Sequence, residues 1–173
     1  MTIAVFGSIN IDITAYADRL PRRGETLHGI RYLTGLGGKG ANQAAAAARL
    51  GGQVFFIGRT GLDQFGETGR RLLAEFGVDT TYLRADAEHP TGIAIINVDG
   101  HGENFITVIA GANFAVDESD IASVTQNAQP MLTDFHLGED ACVRAHMHVW
   151  RLFGPGRFER SSVRETGSRY FLE

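Results

Sequence analysis

Lysine is almost missing from this chain. Of its 173 residues 16 are basic, and Lys39 is the only lysine among them. Cysteine is as scarce: Cys142 stands alone, so no disulfide can form within the chain. No apolar run approaches the roughly 20 residues a membrane-spanning helix needs. The start, Met1-Thr2-Ile3-Ala4-Val5-Phe6, also lacks the basic residues and long apolar segment of a secretory leader. There is no low-complexity stretch and no repeat of the kind that builds solenoids. Nor is there an excess of positive charge: the net charge of −4 offers no electrostatic footprint for nucleic acid or an anionic membrane. What remains is an ordinary globular composition, 43% hydrophobic and 21% charged, long enough for one domain with a buried core in a cytoplasmic, bacterial-type setting.

The solitary lysine lies in the most organised stretch of the chain, Gly35-Leu36-Gly37-Gly38-Lys39-Gly40-Ala41-Asn42-Gln43, which runs directly into Ala44–Ala48 and closes at Gly51-Gly52. Glycines permit close backbone approach, while the alanine run is the strongest helix former present and Gly51 a natural C-terminal stop. A helix is therefore predicted to begin about where the glycines end. Its unpaired N–H groups and positive dipole end would face the loop and favour an oxygen-rich ligand. The plainer reading is a packing loop that carries a chance lysine.

Two phosphate-binding patterns compete for these glycines. The Walker A pattern fails, because position 33 is Leu and Gly38-Lys39 is followed by Gly40 rather than Ser or Thr. The dinucleotide pattern G-x-G-x-x-G matches at Gly35, Gly37 and Gly40, with a strand candidate beyond it ending near Arg59, which suits an NADP-binding oxidoreductase. Against this, Arg31-Tyr32-Leu33-Thr34 lacks the buried apolar run expected of a central parallel strand.

In chain order, Ile3–Phe6 is a short buried-strand candidate, with Asn10 and Asp12 just past its end, where parallel α/β sheets bind ligands. Two apart on extended chain, an amide and a carboxylate point the same way and can grip two hydroxyls together; an Asx-type turn is the alternative. Residues 24–36 read as short, rather polar strands off the main sheet, and Gln53–Ile57 as a buried strand completing a βαβ-like unit. Asp63 then caps a helix carrying Phe65, Leu72, Leu73 and Phe76 on one core-facing stripe, stopped by Gly77. Gly92–Val98 and Asn104–Ile109 flank Asp99-Gly100, a hairpin signal, and Val116-Asp117-Glu118-Ser119 opens a further helix.

The octet Gly37-Gly38-Lys39-Gly40-Ala41-Asn42-Gln43-Ala44 resembles the sugar-loop motif of ribokinase and its relatives, the PfkB (phosphofructokinase-B) carbohydrate kinase family. Six further pieces agree in order: Gly7–Asp12, Pro21–Thr26, Gly58–Asp63, Thr91–Ala94, Gly102–Asn104 and Ala110–Asn113. The resemblance implies a ribokinase-like three-layer α/β fold, with a mainly parallel sheet and a small β lid at about residues 13–36 and 91–109. It implies transfer of the ATP γ-phosphoryl to a pentose hydroxymethyl group, with ATP and Mg²⁺ as cofactors. By the matching positions, Asn10, Asp12, Gly38, Lys39 and Asn42 would hold sugar hydroxyls and Gly37 would allow close approach. Small lid sheets with one polar and one apolar face cannot bury the latter alone and their uncovered edge strands seek partners, so a homodimer through the lid is expected.

The resemblance covers residues 1–133 and then stops. Residues 134–173 hold six arginines and scattered His, Trp and Phe with no helix or strand period. Neither the glycine-rich anion hole ending in the family's catalytic Asp nor its ATP site is found there, so the fold is expected to be truncated, by a gene truncation or a shifted reading frame, and the chain to be an inactive fragment. Cys142, His146 and His148, with His136 upstream, match no standard zinc spacing and are read as incidental. Three functions follow for test: a ribokinase-type sugar kinase fragment, a non-catalytic sugar-binding or dimerisation remnant, and an NADP-binding oxidoreductase.

Overall fold

Two apolar runs set the centre of the molecule. In the computed structural model, which describes residues 2–117, 119, 120 and 129–132, they form strands β1 (Thr2–Phe6) and β4 (Gln53–Gly61), paired in parallel with Val5 opposite Phe56. Ala4, Val5, Phe6, Val54, Phe56 and Ile57 are all buried, as a parallel strand covered on both faces requires. Every other ladder of this sheet is parallel too. β5 (Val78–Asp79) pairs with the start of β4, β6 (Leu83–Asp86) pairs with its end, and β9 (Gln129–Leu132) pairs with the far side of β1. The β9 strand was not anticipated from Gln129-Pro130-Met131-Leu132, because Pro130 has no N–H to give a ladder and weakens any strand pattern.

A second, four-stranded sheet stands beside the first in the order β3-β2-β7-β8, formed by β2 (Asn10–Tyr16), β3 (Arg31–Gly37), β7 (Gly92–Val98) and β8 (Asn104–Ile109). Its outer ladders are antiparallel and the central β2–β7 ladder is parallel. The region from 24 to 36, read as several short strands, contributes only β3; Arg19 and Glu25 form an ion pair in the connection ahead of it. The β7–β8 hairpin is also longer than an Asp-Gly turn. Asp99 Oδ1 accepts from the N–H groups of His101 (2.9 Å) and Glu103 (3.0 Å), and the positive φ of 86° falls at Gly102 rather than Gly100.

Two helices cover the main sheet. Helix α1 (Lys39–Arg49) starts inside the glycine cluster, ahead of the alanine run, and its Ala41, Ala44 and Ala45 join Val5, Ile9, Val54, Phe56 and Leu73 in the core. Helix α2 (Gln64–Glu75) is capped as expected, Asp63 accepting from Gly66 N–H at 2.8 Å. Its predicted core stripe needs correction. Leu73 is fully buried, but Phe65 is 38% exposed, and the inward face is Gly66, Gly69 and Leu73. A Cβ at Gly66 would lie 2.3 Å from Gly61 O, and one at Gly69 3.1 Å from Ile9 Cδ1. At 66 the neighbour is backbone and leaves no room for a side chain, whereas at 69 one would have to press the Ile9 side chain aside by a few tenths of an ångström.

After β8 a 3₁₀ turn (Gly111–Ala115) leads to Asp117, whose Oδ1 accepts from Ser119 N–H at 2.8 Å as a helix cap does. Ser119 and Asp120 are helical; the rest of that expected helix, and the tail of 134–173 with Cys142, His136, His146 and His148, lie outside the described residues. Among the described residues no helix is long and apolar enough to cross a membrane. Arg59 in β4 holds this segment in place, donating from Nε to the buried Asp120 (2.9 Å), from Nη2 to Asp117 (3.0 Å) and from Nη1 to Asp86 (3.3 Å).

Hydrogen bonds from the His89 side chain, the N–H groups of Glu88 and His89, and Arg59 hold the Asp86 carboxyl down at about 2 from an ordinary 3.8, against the burial that would raise it. A depressed folded pKa gives stability that is present above the unfolded value and lost as pH falls through the folded one. The melting temperature of the chain is therefore expected to drop between pH 4 and pH 2. Asp86→Asn should be less stable at neutral pH and show a shallower drop across that interval, a comparison that thermal denaturation monitored by circular dichroism makes directly. An equally steep drop in the variant would remove Asp86 from the account.

Candidate functional site

The strand end of β1 and the start of α1 meet at a point that has room only for backbone. A Cβ on Gly40 would sit 2.5 Å from Gly7 Cα, and one on Gly38 2.5 Å from Ser8 O. Neither neighbour is a side chain that could move aside. Gly38, the N-cap, also has φ 91°, a conformation L side chains rarely adopt. The Ala41 N–H donates to Ser8 O at 3.1 Å, so one of the helix's orphan donors, expected to face a ligand, is used to dock the helix instead. This corner lies at the C-terminal ends of the parallel strands, the edge at which open α/β sheets bind ligands.

Asn10 and Asp12 leave the same corner on β2. They sit in a regular strand, not in an Asx turn, and two residues apart they share one face of the second sheet. Asn10 is opposite Gly37 in the β2–β3 ladder and only 8% exposed. The Asp12 carboxylate lies over Gly37, where a Cβ would be 1.8 Å from Oδ1; any other residue at 37 would displace it. Asp12 is half-buried and accepts no hydrogen bond among the described residues. Burial alone pushes its carboxyl above the ordinary 3.8. Such a carboxylate is an acceptor in want of a donor, and a ligand hydroxyl is the simplest one.

Lys39 and Asn42 occupy the first turn of α1, three residues apart on one exposed face, with the Asn42 N–H bonded to Gly38 O at 3.0 Å. The ladder and the helix start thus bring Asn10, Asp12, Gly37 and Gly38 to one corner and place Lys39 and Asn42 on the element that opens there. Asn113 ends the Ala110–Asn113 motif, whose sequence alone gives it no role. Its amide bridges Ile9 and Asn10 across the foot of β2. A buried Asn after Ala-Gly-Ala was the available signal, but only the fold places it beside Ile9.

The dinucleotide reading finds no support in this geometry. The strand before the glycines, β3, is antiparallel and at the edge of the second sheet, whereas that motif needs a parallel strand of the main sheet. All three guanidinium nitrogens of Arg59 are committed to Asp86, Asp117 and Asp120. Nor do the described residues fit ATP or Mg²⁺. No three His, Cys, Asp or Glu side chains stand together as metal ligands, and the start of α2 is closed by the Asp63 carboxylate. A cavity of about 550 Å³ lies elsewhere, against α2, lined in part by Thr60, Asp63, Glu67 and Arg70. Arg70 there is spent on Thr80 O (2.9 Å) and Leu83 O.

Residues 1–133 match the sequence profile described as pfkB family carbohydrate kinase. Ribokinase of Mus musculus is 35% identical over 146 residues, 83% of this chain and 45% of that protein. Ribokinase of Haemophilus influenzae is 44% identical over 117 residues, 68% of this chain and 38% of that protein. Deoxyribokinase of Salmonella typhi is 40% identical over 121 residues, covering 70% and 40% of the two chains. Among solved structures, ribokinase from Giardia lamblia superposes with a TM-score of 0.79 at 27% identity, over 87% of this chain and 50% of that one. Arabidopsis thaliana ribokinase complexed with ribose and ATP gives 0.74 at 33% identity, over 89% and 51%. This chain therefore spans about half the length of the relatives it matches, and its mainly parallel sheet flanked by helices is the ribokinase-like α/β fold. The chain belongs to the pfkB family of carbohydrate kinases.

Proposed function

We propose that this chain is the sugar-binding part of a ribokinase-type ATP-dependent kinase, and that by itself it binds a pentose without phosphorylating it. The observation that carries the reading is the Asp12 carboxylate, half-buried, without a hydrogen-bond donor among the described residues, and held over Gly37 beside Asn10. Asp12 and Asn10 grip adjacent sugar hydroxyls, and Lys39 and Asn42 close over the sugar from α1; the missing Cβ of Gly37, expected to admit the sugar, instead makes room for the Asp12 carboxylate, and that of Gly38 lets the helix start seat on Ser8. The named relatives, two ribokinases and a deoxyribokinase, support the substrate class. Substrate placement alone is a small part of phosphoryl transfer, which also needs a base and donors for the phosphate charge. In the family these belong with the ATP and Mg²⁺ sites to the half this chain does not match. The setting is cytoplasmic.

The second sheet is the lid of this reading and also its dimer surface. Exposed apolar side chains stand on both of its faces: Tyr32 (72% exposed) and Phe105 (62%) on one, Leu33, Ile106 and Val108 on the other. Four strands that leave both faces open do not bury enough to stand alone, and β3 and β8 are uncovered edges. A second copy of the same sheet, laid against the Leu33, Ile106 and Val108 face, covers that face.

Calorimetry with ribose tests the site. Asp12→Ala and Lys39→Ala should each weaken binding by tenfold or more, since a charge-assisted hydrogen bond is worth about 1.5–3 kcal/mol. Equal affinity in both variants would dispose of the sugar-loop assignment. Because Lys39 is the sole lysine, ribose should also protect it from amine acylation, read by mass spectrometry. The raised Asp12 carboxyl carries a pH consequence. Ribose affinity should begin to fall, on acidification, at a pH above the ordinary 3.8, and lose up to about tenfold per unit below that point.

Catalysis and assembly are tested separately. Coupled ADP-release assays on the 173-residue chain with ribose and Mg-ATP should give no turnover above the no-enzyme control, and turnover that Lys39→Ala abolishes would overturn the non-catalytic reading. Sedimentation is expected to find a dimer that Ile106→Glu converts to monomer. A wild-type monomer at high concentration would refute the lid interface.

A further inference from the structure

The polarity of hydrogen bonds at the foot of β2 can be traced outward from the backbone. Ile9 N–H can only donate, and it donates to Asn113 Oδ1 at 2.9 Å; that end of the Asn113 amide is therefore oxygen and the other end nitrogen. Asn113 Nδ2 donates to two carbonyls, Ile9 O (3.0 Å) and Ala110 O (2.9 Å), which agrees. It also lies 2.9 Å from the Asn10 side chain; its two hydrogens are shared among these three acceptors, and the atom it meets there is Oδ1, since a second amide nitrogen at that distance would set donor against donor. Asn10 Nδ2 is then turned the other way. Asn10 is only 8% exposed, and among the described residues nothing accepts from its Nδ2 hydrogens. A nearly buried donor pair with no acceptor is costly unless a ligand completes it.

The position cannot slip. A Cβ on Gly92, the ladder partner of Asn10, would lie 2.2 Å from Asn10 Oδ1 and 2.3 Å from Asn113 Nδ2; the bond between the two amides occupies the space that glycine leaves. Asn113 is itself 3% exposed, so water does not compete for it.

We propose that Asn113 is a positioning residue that decides which end of the Asn10 amide meets the ligand, so that the site reads an oxygen lone pair at Asn10 and a hydroxyl hydrogen at Asp12. The ligand taken is a polyol with two neighbouring hydroxyls, one accepting and one donating. The inference rests on the sugar-site reading for the ligand's identity, but the orientation of Asn10 follows from the backbone alone.

Three variants and a set of ribose analogues test it on the full 173-residue chain by calorimetry. Asn113→Asp keeps an acceptor for Ile9 N–H but cannot donate to Asn10, and ribose should bind at least tenfold more weakly. Asn10→Asp still accepts from Asn113 Nδ2, should melt within a few degrees of the wild type, and presents an oxygen outward; it too should lose at least tenfold. Gly92→Ala, which pushes the two amides apart, should behave as Asn113→Asp does. Monodeoxyfluoro riboses supply a readout that a structural role would not move, because fluorine keeps a weak acceptor and loses the donor hydrogen. At one hydroxyl position the fluoro sugar should bind wild type better than the deoxy sugar, and in Asn10→Asp that advantage should disappear. Wild-type affinity in Asn10→Asp, or no fluorine advantage at any position, overturns the proposal. Should Asn113→Asp fail to fold, Asn10→Asp and the analogues decide. Should the wild type bind no ribose, the sugar reading has failed and side-chain amide NMR decides the orientation: the Asn10 Nδ2 pair shifts and broadens in Asn113→Asp if Asn113 holds it, and an unchanged pair refutes the inference.

Discussion

Backbone packed directly on backbone, where the start of α1 meets the turn after β1, is the constraint on which the rest of this structure depends. Gly38 and Gly40 stand within 2.5 Å, by a hypothetical Cβ, of Ser8 O and Gly7 Cα, and the Ala41 N–H closes the contact onto Ser8 O. Because the helix start is pinned there, β3 has to end at Gly37, and β2 has to run alongside it. Asp12 then finds its space over Gly37, and no side chain at 37 contests it. The site is a consequence of how tightly two pieces of main chain are allowed to approach. A side chain at 38 or 40 would push the start of α1 off the turn after β1, and one at 37 would displace the Asp12 carboxylate itself.

Segment 110–120 is suspended between two polar clusters that do different work. At one end Asn113 joins the neutral groups of Ile9, Asn10 and Ala110, all by hydrogen bonds near 2.9 Å. At the other, Asp117 and the fully buried Asp120 meet Arg59, with Arg84 adding a bond to Asp120 at 3.0 Å. Buried ion pairs are weak contributors to net stability, because removing the charges from water costs several kcal/mol per ion. Their geometry is directional, however, and a planar guanidinium spread over three carboxylates fixes where the segment can dock. Docking in that one register is what delivers Asn113 to the foot of β2. The acid-sensitive network thus lies at one end of a short segment whose other end orients the candidate site.

Local chemistry was legible where it was self-contained. Asp63 as cap of α2, the alanine face of α1, the paired apolar strands at Ile3–Phe6 and Gln53–Ile57, and the two-apart Asn10 and Asp12 all follow from propensity and period, and each is where the sequence placed it. Readings that depended on who the neighbour is fared worse. Phe65 looked like core and is exposed, because α2 approaches β4 and β2 through Gly66 and Gly69. The Asp99-Gly100 pair looked like a two-residue turn, but Asp99 prefers to cap two further N–H groups and moves the positive φ to Gly102. β9 carries a proline and little pattern of its own; β1 supplies the partner that makes it a strand.

The sequence by itself determined the class of the fold, the glycine-rich start of α1 and the identity of the polar residues near it, because periodicity, capping and the absence of a Cβ are properties of a few adjacent residues. It also determined family membership, through short motifs repeated in order. Only the tertiary structure decided that Arg59 is neutralised by Asp86, Asp117 and Asp120, that Asp12 is left without a partner among the described residues, and that Asn113, 103 residues away from Asn10, turns its amide. These outcomes depend on distance and burial between segments far apart in the chain. A pattern of neighbours in sequence carries no record of either.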